Sequence, residues 1–97
     1  MNFIIENPSS HSRNVMRSAG YAMQQNRKGE ISFTKRLAGA DYPRFHVYIN
    51  KEDPGVMMEV SLHLDEKKPS YEGSTAHSGQ YDGEVVELEQ QRILQLI

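Results

Sequence analysis

Strict alternation of apolar and polar residues between positions 44 and 65 constrains this chain more than any other feature. Phe45, Val47 and Ile49 alternate with Arg44, His46 and Tyr48, and Val56, Met58, Val60, Leu62 and Leu64 alternate with Met57, Glu59, Ser61, His63 and Asp65. Successive side chains on a strand point to opposite faces, so each run is a half-buried strand with one apolar and one polar face. Between them Asn50-Lys51-Glu52-Asp53-Pro54-Gly55 carries turn chemistry, because proline presets φ and glycine accepts positive φ. A third strand precedes the pair, with Ile31, Phe33 and Leu37 alternating with Ser32, Thr34 and Arg36 and only Lys35 spoiling the apolar face. Residues 38–43, Ala-Gly-Ala-Asp-Tyr-Pro, connect it to the next.

A sheet with one apolar face must be covered, and the rest of the chain supplies two helical patterns. After Asn7-Pro8-Ser9-Ser10, a helix-entry signal, Val15, Met16, Ala19 and Met23 recur at helical spacing and predict a helix over roughly residues 8 to 25. Gly20 interrupts that run, and Asn26-Arg27-Lys28-Gly29 then forms a polar turn. The stretch from Gly83 to Ile97 places Val86, Ile93 and Ile97 on one face, flanked by Val85 and Leu96, with Asp82 as the expected cap. Phe3-Ile4-Ile5 offers a short additional strand in front. The expected architecture is α+β: helix, three-stranded antiparallel meander, long irregular loop over 66–82, and C-terminal helix, with both helices on one sheet face.

At 97 residues the chain supports one core and not two, so a single domain over 1–97 is expected. There is no cysteine, which excludes disulfides, thiolate metal sites and cysteine nucleophiles, and any metal must use His, Asp or Glu. The net charge of -2 gives no global attraction to nucleic acid or anionic membrane. No apolar run approaches the roughly eighteen residues of a membrane span, and the start lacks a basic export signal, so a cytoplasmic, membrane-free setting is expected.

Chemistry should therefore lie on the polar sheet face, where His46 and His63 project to the same side. A short turn favours pairings whose residue numbers sum to about 105 or 107, and the former places His46 opposite Glu59. His46 and His63 then stand in rows roughly 13 Å apart, too far to share an ion. His63 and Asp65, about 7 Å apart along one strand, are better partners. Arg44 lies opposite Ser61 or His63 in the two registers, and His77 can return from the loop as a third ligand. The expected ligand-binding set is thus Arg44, His63, Asp65, Lys67, Lys68, Tyr71 and His77, with His63, Asp65 and His77 as the candidate ligands of a divalent metal. Lys67, Lys68 and Tyr71 offer cations and a stacking ring to a phosphate or base, although Gly73-Ser74-Thr75 lacks the order of a phosphate-cradling loop. The bland alternatives are solvated charges at a strand end, tyrosines covering the core, and a solvated polar face. No serine lies in a nucleophile elbow, and no Ser-His-Asp set stands out.

The residues Tyr42-Pro43-Arg44-Phe45-His46, His63-Leu64-Asp65-Glu66-Lys67-Lys68-Pro69-Ser70-Tyr71, Ala76-His77-Ser78-Gly79 and Tyr81-Asp82-Gly83-Glu84 resemble small uncharacterised proteins of candidate-phylum (Patescibacteria) bacteria over nearly the whole chain. That resemblance implies a bacterial cytoplasmic setting and no particular activity.

Because no complete catalytic set is visible, the preferred expectation is a non-enzymatic binding or regulatory module. It would present the polar face and the 66–82 loop to a ligand or protein partner and need no cofactor. A metal-dependent hydrolase built on His63, Asp65 and His77, with Arg44 holding an anionic substrate, is the competing class. A double-stranded-RNA-binding domain shares the helix, three strands, helix order, but Glu84, Glu87 and Glu89 at the opening of the last helix disfavour phosphate there. A homodimer through a sheet edge is the remaining partner expectation.

Overall fold

The computed structural model of the chain describes residues 1–67, 79–80 and 82–97. Among the described residues it is an α+β fold with eight elements: β1 Asn2–Glu6, α1 Ser12–Ser18, β2 Ala22–Gln25, β3 Ile31–Arg36, β4 Arg44–Asp53, β5 Met57–Asp65, β6 Gly79–Gln80 and α2 Glu84–Leu96. The expected three-stranded meander is present as β3, β4 and β5, but inside a larger antiparallel sheet of order β1-β5-β4-β3-β2, with β6 also on β5. The helix, three strands, helix order is accordingly not the order of this chain.

The first helix is shorter than the expected 8–25 because Gly20 terminates it. Gly20 takes φ 94°, its amide donates to the Arg17 carbonyl at 3.0 Å, and the Tyr21 amide donates to the Met16 carbonyl at 2.9 Å. That pair of bonds is a left-handed helix stop, open to glycine because it has no Cβ. Residues beyond it form β2, so Met23 is exposed opposite Phe33 and does not share the helix face of Val15, Met16 and Ala19. At the other end the Ser12 amide donates to Glu52 Oε2 at 3.0 Å, an orphan helix amide satisfied from β4.

The hairpin register also departs from expectation. Residues 50–53 are polar, yet they continue β4, and the turn is only Pro54-Gly55-Val56. A register shift between Ile49 and Lys51 leaves Asn50 as the extra residue. The bulge puts Lys51 opposite Glu59 while keeping Ile49 opposite Val60, so both sides of the shift stay in phase with the core. Past it, His46 pairs directly with His63 and Arg44 with Asp65. Met57, on the polar side of the alternation, is half-buried opposite Asp53.

Phe3, Ile5, Phe33, Phe45, Val47, Met58, Val60, Leu62 and Leu64 from the sheet pack in one core with Val15 and Met16 of α1 and Val86 and Ile93 of α2. Val85, Leu96 and Ile97 of the expected apolar stripe are exposed, and Glu89 takes a core position in their place. Gly83 caps α2, without a side-chain bond from Asp82. Glu89 is only 5% exposed, and it accepts the Tyr21 hydroxyl at 2.5 Å and Arg92 Nε and Nη2 at 2.7 and 2.8 Å. Arg92 Nη2 also donates to the Ala19 carbonyl at 2.6 Å, so one polar knot ties α2 to the end of α1. Of the loop expected over 66–82, Gly79 and Gln80 pair with Asp65 and Leu64 as a short strand.

Candidate functional site

Three adjacent strands build a grid on the polar face. Across β3, β4 and β5 the rows are Arg36-Arg44-Asp65, Thr34-His46-His63 and Ser32-Tyr48-Ser61. Neighbouring strands stand about 4.8 Å apart and successive rows about 7 Å apart, so side chains of one row reach those of the next.

Asp65, at one corner of the grid, is where its hydrogen bonds converge. Its Oδ2 lies 2.9 Å from His46 Nδ1 and its Oδ1 lies 2.8 Å from His63 Nε2. Burial pushes this carboxyl upward, but the hydrogen bonds and charge of His46 and His63 together outweigh burial and hold it well below the usual carboxylate range. An ionised carboxylate only accepts, so each imidazole donates an N–H to it, and His46 carries its proton on Nδ1. The other His46 nitrogen, Nε2, lies 2.8 Å from the Ser32 hydroxyl oxygen, which can donate to a neutral imidazole or accept from a charged one. Arg44 Nε donates weakly to Asp65 Oδ2 at 3.4 Å, and its guanidinium lies 4.6 Å from the centre of the Tyr42 ring. Tyr48 stacks on His46 with centroids 4.4 Å apart and on His63 at 5.7 Å, forming an aromatic flank to the cluster.

Two chemistries fit such a set. The ligand-type atoms of His46, His63 and Asp65 all lie within 4.8 Å of one another. A tetrahedral zinc with bonds of about 2.0–2.2 Å needs ligand separations of roughly 3.4 Å, within easy reach of small side-chain rotations. Ser32, His46 and Asp65 also stand in the order of an acyl-transfer relay. Ser32 is however only 9% exposed and sits mid-strand, not on a strained turn that presents its hydroxyl to substrate. Its geometry is that of a residue holding His46 in place.

Of the residues expected at the site, Arg44, His63 and Asp65 come together, and Lys67 is exposed beyond the end of β5. Lys68, Tyr71 and His77 lie outside the described residues. His46, set aside because the short-turn register removed it from His63, is a full member: the bulge at Asn50 and the extension of β4 through polar residues move the pairing. Ser32 carries no sequence signal beyond its place in the alternation. Among the described residues no helix is long and apolar enough to cross a membrane. The chain matches no family model, no curated protein and no solved structure.

Proposed function

We propose that this protein is a small binding module whose polar sheet face holds a divalent transition-metal ion through His46 Nδ1, His63 Nε2 and a carboxylate oxygen of Asp65. The observation that carries this reading is the mutual approach of those three ligand groups within 4.8 Å. Two imidazoles and one carboxylate suit zinc, and equally iron(II), while disfavouring magnesium or calcium, which prefer all-oxygen sets. A metal on Nδ1 moves the His46 proton to Nε2, where the Ser32 oxygen, already 2.8 Å away, accepts it. Such an outer hydrogen bond is the usual support of a ligating imidazole.

The test is metal content by inductively coupled plasma mass spectrometry on untagged protein purified without chelator, followed by calorimetric titration of the demetallated protein with zinc. Near-stoichiometric binding in the wild type, lost in His46→Ala, His63→Ala and Asp65→Asn, supports the reading. Folded wild-type protein that takes up neither zinc nor iron(II) ends it. Three protein ligands also leave a coordination position open, as catalytic zinc sites do, which favours a metal-dependent hydrolase as the second reading. Zinc-dependent turnover of an activated ester separates the two.

A further inference from the structure

A second site borders the first, at the place where the sheet loses a strand. Ala22 of β2 pairs with Thr34, so β3 runs on past β2 with Lys35 and Arg36. A cavity of about 450 Å³ opens there, walled by Gly20, Thr34, Lys35, Arg36, Asp41 and Arg44 among others. Lys35, Arg36 and Arg44 stand against Asp41 on the cavity wall, with Asp65 behind Arg44, so cations outnumber carboxylates here in a chain whose own net charge is -2.

Three details show that these cations are not a neutralised surface cluster. Arg36 and Arg44 are direct cross-strand partners, and like charges in that position repel. Asp41 meets Arg36 at 3.5 Å, but both side chains are more than half exposed, so the pair is weak and screened. Arg44 is held from behind by the Tyr42 ring and by Asp65 through Nε alone. Among the described residues its terminal Nη groups donate to nothing, and neither does the hydroxyl of Thr34. An anion bridging Arg36 and Arg44 would turn their repulsion into two charge-assisted contacts.

We propose that this cavity binds a dianionic phosphate group, either free phosphate or the head of a small phosphomonoester. A phosphate carries about -1.5 to -2 charges near neutrality and at least three acceptor oxygens, matching the forked donors of two arginines. Lys35 adds a point charge from the other side of the strand, and the Thr34 hydroxyl a neutral donor. The site stands on its own residues and does not depend on a metal at Asp65, although Arg44 borders both.

The experiment is a ¹H–¹⁵N correlation titration of the full chain with inorganic phosphate and with phenyl phosphate, against sodium chloride and sodium acetate at matched ionic strength. Saturable shifts centred on residues 20–24, 34–36 and 41–44 are expected with one or both phosphates and with neither control. Saturation by inorganic phosphate alone identifies the free ion as ligand, and tighter binding of phenyl phosphate identifies a monoester. Arg36→Gln, at an exposed position that leaves the core untouched, should weaken binding roughly tenfold, and Arg44→Gln at least as much. His63→Ala should leave phosphate binding intact, which separates this site from the metal reading. Equal responses to chloride or acetate, or unchanged affinity in Arg36→Gln, would overturn the proposal.

Discussion

Two carboxylates sit at the centre of polar networks in this molecule, and their surroundings give them opposite capacities. Glu89 is sealed between α1 and α2, with Arg92 on both oxygens and the Tyr21 hydroxyl on one. Nothing in that knot can be exchanged without leaving a buried group unpaired. Asp65 is held mainly by two imidazoles, with Arg44 Nε a longer third contact, and an imidazole can give up an N–H bond for a metal bond; the cluster also lies beside a cationic cavity. The first network locks two helices together; the second is chemically convertible. The ionic character is similar, and the difference lies in what the partners can become.

Removing the centre of the locked network should have the largest effect. Glu89→Ala leaves Tyr21 and Arg92 without their acceptor and is expected to cost about 3 kcal/mol in urea unfolding, the lower end for a broken buried pair because Arg92 can turn towards water. A loss below about 1 kcal/mol would mean that the knot contributes no more than a surface pair. Zinc should act on the other network alone. At a hundredfold above its dissociation constant it should add about 2.7 kcal/mol to the wild type and to Tyr21→Phe, and nothing to Asp65→Asn. Equal stabilisation of all three proteins would erase the distinction between convertible and locked.

Without metal, Asp65→Asn should cost about 2 kcal/mol at neutral pH through its weakened bonds to two imidazoles. The carboxyl is held below its unfolded value, so its contribution is present above about pH 4 and lost as the pH falls from there towards the folded value. Wild type and variant should therefore converge in acid denaturation series. Tyr21→Phe should be the mildest change, about 1 kcal/mol for one hydrogen bond. Burial first, and then the Glu89 bond and charge, push the Tyr21 hydroxyl far above its ordinary range. Its contribution is therefore complete below about pH 10 and falls as the pH rises beyond, an alkaline slope that Tyr21→Phe should flatten. One network thus fails in acid and the other in alkali.

How far each network was legible in the sequence follows from how local its determinants are. Alternation in 45–49 and 58–64 is a property of neighbouring residues, and it identified the strands, their apolar faces and the placement of His63 and Asp65 on the polar one, although Val56, expected on the apolar face, is exposed in the turn. The pairing of His46 with His63 was not local. It depends on one extra residue at Asn50 and on polar residues 50–53 remaining extended beside β5. The helix stop at Gly20 was visible as an interruption, but that the chain then returns as a strand was decided by pairing with β3. Glu89 stood in the sequence only as one of three glutamates at the opening of the last helix, since nothing in its neighbourhood announces that Tyr21, 68 positions away, will be its donor.

The sequence by itself determined an antiparallel sheet with one apolar and one polar face, two flanking helices, a cysteine-free donor set restricted to His, Asp and Glu, and the placement of Arg44, His63 and Asp65 on the polar face. Tertiary structure alone decided which histidine completes the cluster, where the cationic cavity opens and which glutamate is buried. The physical reason is that periodicity constrains the face on which a side chain lies, whereas register and edge length constrain which side chains meet. Register is settled only when bulges, turns and neighbouring strands compete for the same backbone hydrogen bonds.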